Sequence, residues 1–251
     1  MRFFKPETLF QVNHHLNVEV VEVDDARIVL VDDFYATPDM IRKLILQTPA
    51  PIWKTSKNSK NFIEYHDCRH QTLVDDGFIT AQQAIACLAR KYLGIQILKP
   101  ISVFNTNYFQ LIHHQPEHTV PVPHEDGECL AALVCFNTPE ECAGGTGFYQ
   151  SKFNKSVNTA KLTSLERDAL YEWMQDHNLF EEGDDYFLHN WQEYWDLAYL
   201  AEMRYNRLIM YYGPIFHGAH HCDNQFRNYP RINHMMFYEH ISHSGQHHAE
   251  T

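Results

Sequence analysis

The sequence lacks several features that mark whole classes of protein. No apolar run approaches the ~20 residues with which a helix spans a bilayer, and there is no extended run of lysine or arginine. The formal net charge of −12 disfavours nucleic acid and anionic membranes as partners. The six cysteines include no Cys-x-x-Cys pair, so we expect reduced, structural thiols. There is also no internal repeat, low-complexity segment or linker.

The remaining composition favours a folded protein. The chain has 251 residues, of which 44% are hydrophobic and 14% aromatic, enough for the core of one large domain. Its start, MRFFKPETLFQV, becomes charged and polar too early for a signal peptide. We therefore expect a cytoplasmic location.

Strand and helix patterns alternate in the first hundred residues, and short strands dominate from residue 101. VEVVEVDDARIVLVDDFYA predicts two strands separated by Asp24-Asp25. Thr37 and Pro38 suit the N-cap and first position of a helix, and a second helix over 79–94 ends at Gly94. The later runs predict an antiparallel sandwich or barrel. These runs are ISVFNTNYFQLI, CLAALVCFNT, GTGFYQ, RLIMYYG and RINHMMFYEH.

Residues 154–206 interrupt this series of strands. TSLERDALYEWMQDHNLF and HNWQEYWDLAYLAEMRYN both have helical spacing, and Ser164 is the candidate N-cap of the first. Aromatic side chains at helical spacing in the second would pack the segment onto the barrel. They are Trp191, Tyr194, Trp195 and Tyr199.

We predict a single domain over residues 1–251. It has N-terminal strands and supporting helices over 1–100, a β core over 101–238, and a helical insertion over 154–206 within that core. The insertion would serve as a lid or as an oligomer interface, and a homodimer stays open.

The stretch PVPHEDGE contains a His-x-Asp pair, His124 and Asp126. About one such pair is expected by chance in a chain this rich in histidine, and a second pair, His221 and Asp223, is present. On a strand, residues i and i+2 face the same way, so His124 and Asp126 can hold one ion while Glu125 points away. Two histidines and one carboxylate leave open coordination positions, as non-heme Fe(II) oxygenases require.

The third ligand is expected in NRLIMYYGPIFHGAHH. The predicted strand Leu208–Tyr212 ends in a Gly-Pro turn, and His217 stands just beyond that turn. His220 and His221 are rivals for the same role. The next strand begins with Arg231, whose guanidinium can bind a carboxylate through two parallel hydrogen bonds.

The ordered combination of these motifs resembles the core of Fe(II)/2-oxoglutarate-dependent oxygenases, and within them the prolyl-hydroxylase-like branch. Such proteins have His-x-Asp at a strand end, an apolar strand ending in Asn, and a Gly-Gly-Thr-like strand. A strand-turn-His follows, then an Arg that opens the last strand with a small polar residue two places on. The matching segments here are HED, LAALVCFNT, AGGTGFY, NRLIMYYGPIFHG and RINHMMFY. The resemblance implies a mostly β fold with flanking helices and a double-stranded β-helix core, of the jelly-roll or cupin-like kind.

The resemblance also implies a function. His124, Asp126 and His217 would ligate Fe(II) and form the catalytic centre. The reaction would consume O₂ and 2-oxoglutarate, release succinate and CO₂, and hydroxylate a C–H bond of a small molecule, amino acid or peptide. Family members that halogenate lack the carboxylate ligand, so Asp126 favours hydroxylation. A cupin-like binding protein without oxygenase activity, and an iron dioxygenase that does not use 2-oxoglutarate, stay open.

The co-substrate site follows from the same resemblance. Arg231 would bind the distal carboxylate of 2-oxoglutarate, with Arg227 as the second choice. Asn233 stands where the family often has Ser or Thr, and Tyr108 would hydrogen-bond the co-substrate. The expected partners are thus O₂ and an organic substrate, without nucleic acid or membrane.

Overall fold

The computed structural model describes most of the chain. The described residues are 9–24, 26–48, 54–55, 65–68, 78–99, 107–112, 120–179, 187–188, 190–220, 222, 226 and 228–243. The strands in this part are β1 (Asn17–Val23), β2 (Ala26–Asp32), β3 (Lys54–Thr55), β4 (Tyr65–Cys68), β5 (Ile95–Ile97), β6 (Asn107–Ile112), β7 (Val120–Pro121), β8 (Leu130–Cys135), β9 (Gly145–Ser151), β10 (Phe187–Leu188), β11 (Trp195–Glu202), β12 (Leu208–Tyr212), β13 (His217–His220), β14 (Arg231–Tyr238) and β15 (Ile241–His243). The α-helices are α1 (Pro38–Gln47), α2 (Ile79–Leu88) and α3 (Ser164–Asp176).

Two antiparallel sheets form the core. The larger has eight strands in the order β1-β2-β12-β8-β14-β6-β4-β3, and the smaller has the order β11-β9-β13. The segment before β8 continues the smaller sheet, because His124 forms a bridge with His217 at the free edge of β13. From β6 to β14 the chain therefore crosses between the sheets repeatedly. This topology is a double-stranded β-helix, which confirms the predicted fold class.

The two faces of the larger sheet carry separate cores, because side chains alternate along each strand. On β14, Ile232 and Met236 pack with α1 and α2 on the outer face, while Met235 and Phe237 lie against the core between the sheets. Arg231 and Asn233 share the parity of Met235 and so face the interior. This alternation places the polar residues of β14 in the space between the two sheets.

The predicted N-terminal elements are confirmed. β1 and β2 form a hairpin, and α1 begins at Pro38 with Thr37 at its N-cap position. α2 continues as a π-helical turn, Ala89–Leu93, and ends at Gly94 with φ +69°. A left-handed residue at this position closes the helix, and glycine adopts it without steric cost.

The Gly-Gly-Thr motif depends on both of its glycines. Gly144 has a φ of +62°, a conformation that favours glycine. A Cβ atom on Gly145 would lie 2.1 Å from the carbonyl oxygen of Ala201. The close pairing of β9 with β11 therefore requires glycine at the start of β9.

The helix predicted over the second half of the insertion is wrong. Residues Trp195–Glu202 form β11, which pairs with β9 along its length with a bulge between Leu197 and Tyr199. Leu, Ala and Glu favour a helix locally, but β9 would otherwise have an unpaired edge, and tertiary pairing overrides weak propensity. The segment between core strands is thus 152–194, shorter than the predicted 154–206, and its role as a lid stays a prediction.

Helix α3 attaches this segment to the outer face of the smaller sheet. Leu170 and Met174 pack with Tyr149, Trp195 and Phe216 in a third, smaller core. Trp191 and Tyr194 pack against the same core, as predicted, whereas Tyr199 packs between the sheets. The N-cap is Thr163 rather than Ser164, because Thr163 and Glu166 form a reciprocal capping box.

The absence of membrane-spanning helices and the state of the cysteines were also predicted from the sequence. In the part that the structure describes, no helix is both long enough and apolar enough to cross a membrane. The five cysteines whose side chains are described, Cys87, Cys129, Cys135, Cys142 and Cys222, are free thiols, which agrees with the prediction.

Candidate metal centre

His124, Asp126 and His217 come together at one end of the interior. Their candidate ligand atoms all lie within 4.8 Å of one another. The backbone sets this arrangement: His124 and His217 exchange two N–H···O bonds of 2.9 Å, and the Asp126 amide donates to the Gly213 carbonyl at 3.0 Å. These bonds fix the segment that carries His124 and Asp126 against β13 and against the turn at Gly213 that precedes His217.

Both imidazole rings present Nε2 to the centre. Nδ1 of His124 donates to the carbonyl oxygen of Val122 at 3.2 Å, and Nδ1 of His217 donates to that of Ile215 at 2.8 Å. A carbonyl oxygen only accepts, so the proton of each neutral ring is on Nδ1 and the lone pair is on Nε2. This second contact, which fixes the tautomer and the ring orientation, is typical of metal-ligating histidines.

The carboxylate of Asp126 completes the set of candidate metal donors. Its Oδ2 is buried without a hydrogen-bond partner, and it lies 3.1 Å from Nε2 of His217, while Oδ1 lies 3.9 Å from Nε2 of His124. The two Nε2 atoms and the carboxylate oxygens face one another, so a cation between them would be bound by all three side chains. The donors present therefore fit a divalent metal ion such as Fe(II).

The electrostatics of the aspartate agree with this interpretation. Burial raises the pKa of the Asp126 carboxyl, but the neighbouring His217 and His124 outweigh burial and hold that pKa below its usual value. Asp126 is thus an anion, which is the state in which a carboxylate binds metal.

Tyr211, on β12, is a buried aromatic side chain in contact with the candidate metal centre. Its ring packs on His217 with 4.7 Å between centroids. Burial raises its pKa well above the usual value, with Asp126, Tyr108 and Arg231 also within electrostatic range. Tyr211 was not among the predicted site residues. The alternation in LIMYY, which places Tyr211 on the interior face two residues before the Gly-Pro turn, would have indicated it.

Arg231 lies buried on β14, which β8 separates from β12, and 2% of its surface is exposed. In the amide orientation that gives both ends of the Asn233 side chain a partner, its oxygen accepts from Nε of Arg231 at 3.2 Å. Tyr108, half-buried on the adjoining β6, stacks on Phe237 at 6.3 Å. The structure thus places all three predicted co-substrate residues on the interior side of β6 and β14.

The structure describes only one of the alternative residues considered for the site, His220. His220 lies on the opposite face of β13, where its Nδ1 is 2.9 Å from the Tyr149 hydroxyl, so it is not part of the cluster. Burial lowers its pKa below the usual value. His221, Asp223 and Arg227 lie outside the described residues.

Glu125, between the two motif residues, points away from the centre as predicted. Its carboxylate accepts hydrogen bonds from the hydroxyls of Thr159 and Tyr171. Thr159 also donates its backbone N–H to Pro214 at 3.0 Å. The segment 152–194 is therefore bonded both to Glu125, between two candidate ligands, and to the turn before His217, the third.

Comparison with known families gives one assignment. Residues 13–231 match the model of the "Family of unknown function (DUF6445)". The chain belongs to this family. No curated protein matches the sequence.

Solved structures give distant similarity. The non-heme alpha ketoglutarate dependent epimerase SnoN from nogalamycin biosynthesis is 14% identical with a TM-score of 0.44, over 86% of this chain and 80% of that chain. EctD from S. alaskensis with 2-oxoglutarate and 5-hydroxyectoine is 13% identical with a TM-score of 0.37, over 94% and 86%. The same enzyme with bound Fe is 13% identical with a TM-score of 0.36, over 94% and 88%. Similarity this low assigns neither a reaction nor a substrate, and the prolyl-hydroxylase-like branch stays a prediction.

Proposed function

We propose that the protein is an Fe(II)- and 2-oxoglutarate-dependent oxygenase that hydroxylates a C–H bond of a small molecule, amino acid or peptide. The observation that carries this proposal is the donor set itself. Two Nε2 atoms held inward by backbone carbonyls face a buried carboxylate oxygen that has no hydrogen-bond partner. Two histidines and one carboxylate are the ligands of non-heme Fe(II) oxygenases.

Each residue then has a defined task. His124, Asp126 and His217 would hold Fe(II), which together with 2-oxoglutarate supplies the oxidative chemistry on O₂. Arg231 would bind the distal carboxylate of 2-oxoglutarate through charge-assisted hydrogen bonds, and Asn233 would orient its guanidinium.

Two further interior side chains support that arrangement. Tyr108 would donate a hydrogen bond to the co-substrate. Tyr211, packed on His217, would keep that ring in place and exclude water from one side of the metal.

Substitution of single ligands tests the metal site. His124→Ala, Asp126→Ala and His217→Ala should each abolish iron-dependent release of succinate from 2-oxoglutarate and weaken Fe(II) binding. His220→Ala is the matched control, because this histidine is on the same short strand but faces Tyr149. Its Fe(II) affinity and succinate release should equal those of the wild type.

Other outcomes would support the competing functions. Tight binding of zinc without any response to 2-oxoglutarate would indicate a cupin-like binding protein. Oxidation of a substrate that is indifferent to Arg231→Ala would indicate an iron dioxygenase that does not use 2-oxoglutarate. Loss of Fe(II) binding in His220→Ala but not in His217→Ala would refute the assignment of the third ligand.

A further inference from the structure

The residues that fix Arg231 in place are also visible in the structure. β8 and β14 are paired from Leu130 and Tyr238 to Cys135 and Asn233. The backbone ladder then continues with one bond, from the Phe136 N–H to the Ile232 carbonyl at 2.9 Å. After Phe136, the side chain of Asn137 makes the hydrogen bonds to β14 and the residue before it, in place of backbone groups.

Asn137 bonds to both peptide groups that flank Arg231. Its amide nitrogen donates to the Pro230 carbonyl at 2.9 Å, and its amide oxygen accepts from the Ile232 N–H at 2.8 Å. Asn137 is fully buried, so water cannot replace either bond. These two bonds fix the direction in which the Arg231 side chain leaves the backbone.

A chain of polar contacts in turn holds Asn137. Glu141 accepts from the Asn137 amide nitrogen at 3.3 Å and from the Thr138 N–H at 3.1 Å. Arg42, on α1, donates to both carboxylate oxygens of Glu141 at 2.9 and 3.1 Å and to the Phe136 carbonyl at 3.0 Å. The support for Arg231 therefore extends from the interior to the N-terminal helix.

We propose that Asn137 is a positioning residue that aims Arg231 at the distal carboxylate of a bound 2-oxo acid. This inference rests on the proposed function. Asn137 would not touch the co-substrate, and its side chain bonds to Glu141, Pro230 and Ile232 rather than to the three candidate metal ligands. Its effect should therefore be limited to ligands that carry the carboxylate which Arg231 recognises.

Two 2-oxo acids separate this role from a general structural role. 2-Oxoglutarate has a distal carboxylate, and pyruvate has none, although both can bind a metal through the 2-oxo acid group. In Asn137→Asp the donor to Pro230 is lost and a carboxylate faces Glu141. In an anaerobic titration of the Fe(II)-loaded protein, we expect Kd for 2-oxoglutarate to rise about tenfold, while Kd for pyruvate stays unchanged.

Asn206 offers a matched control on the other side of β8 from Arg231, where its backbone N–H donates to the Cys135 carbonyl at 2.7 Å. It is also buried, and it makes the same pair of bonds, donating to the Tyr35 carbonyl at 2.8 Å and accepting from the Tyr35 N–H at 2.9 Å. Asn206→Asp should lower stability comparably to Asn137→Asp and leave both Kd values unchanged. If Asn137→Asp does not fold, Glu141→Gln disturbs the same chain at a partly exposed position, and Kd for 2-oxoglutarate alone should rise about twofold.

The outcomes distinguish two kinds of failure. Wild-type protein that binds neither acid in an iron-dependent manner would refute the proposed function and this inference with it. If the wild type binds 2-oxoglutarate and the folded Asn137→Asp variant binds it with the same Kd, the inference alone is refuted. A parallel loss of pyruvate affinity, or an equal effect of Asn206→Asp, would also refute it.

Discussion

Gly213 sits where the turn before His217 contacts the loop after Asp126, and an added methyl group there should disturb the metal centre. A Cβ atom on Gly213 would lie 2.4 Å from the Gly127 carbonyl oxygen and 2.7 Å from Sγ of Cys129. Ordinary contact begins at 3.4 Å, so the Gly127 peptide must move by about 1 Å. That peptide directly follows Asp126, whose own amide donates to Gly213.

The expected cost of Gly213→Ala has two parts. Overpacking should lower the free energy of unfolding by about 1–3 kcal/mol. Displacement of the Asp126 carboxylate should weaken Fe(II) binding by about tenfold or more, as loss of support for a metal ligand usually does. Denaturant unfolding measures the first part, and anaerobic calorimetry with Fe(II) measures the second.

Gly218 is the matched control for this prediction. It follows His217, yet a Cβ atom there would find its nearest neighbour, the Pro121 carbonyl oxygen, at 3.6 Å. Gly218→Ala should keep wild-type Fe(II) affinity and full stability, since only Gly213→Ala must displace backbone. Wild-type stability and metal affinity in Gly213→Ala, or an equal loss in Gly218→Ala, would refute the reasoning.

Two further predictions concern stability. Arg207→Met removes the buried partner of the Asp32 carboxylate at 2.5 Å, and it should cost about 1–3 kcal/mol because Asp32 is partly exposed and keeps Arg204. Arg204→Met removes only the exposed partner at 3.4 Å and should cost under about 1 kcal/mol. Similar unfolding curves for the two variants would contradict this. Burial lowers the pKa of His234 to about 3, so below the unfolded pKa of ~6.5 only the unfolded chain gains this proton. Stability should therefore fall between about pH 6.5 and 3 by an amount on the order of 4 kcal/mol, and a pH series in which His234→Gln has the same slope as the wild type would refute it.

The grouping of His124, Asp126 and His217 was predictable because its signals are local. Period-two alternation places His124 and Asp126 on one side, and the Gly-Pro turn returns the chain to them at His217. The same alternation, once β13 is known to begin at His217, sends His220 to the opposite face. Period-two alternation therefore distinguishes His217 from His220 only when the first residue of β13 is known.

The features that sequence reasoning missed depend on distant partners. WDLAYLAE has the composition of a helix, and only its pairing with β9 makes it a strand. Asn137 ends an apolar run in the sequence, but its bonds to Pro230 and Ile232 cross 93 and 95 residues. No local pattern encodes contacts at that separation, because they arise when β8 and β14 pair.

His124, Asp126, His217 and Arg231 should together bind iron and 2-oxoglutarate. Anaerobic addition of 2-oxoglutarate to the Fe(II)-loaded protein tests it most directly, through the visible charge-transfer absorption of a chelated 2-oxo acid. We expect a saturable band that requires iron, disappears in Asp126→Ala and shifts to much higher 2-oxoglutarate concentrations in Arg231→Ala. The absence of any iron-dependent band or heat of binding in the wild-type protein would contradict it.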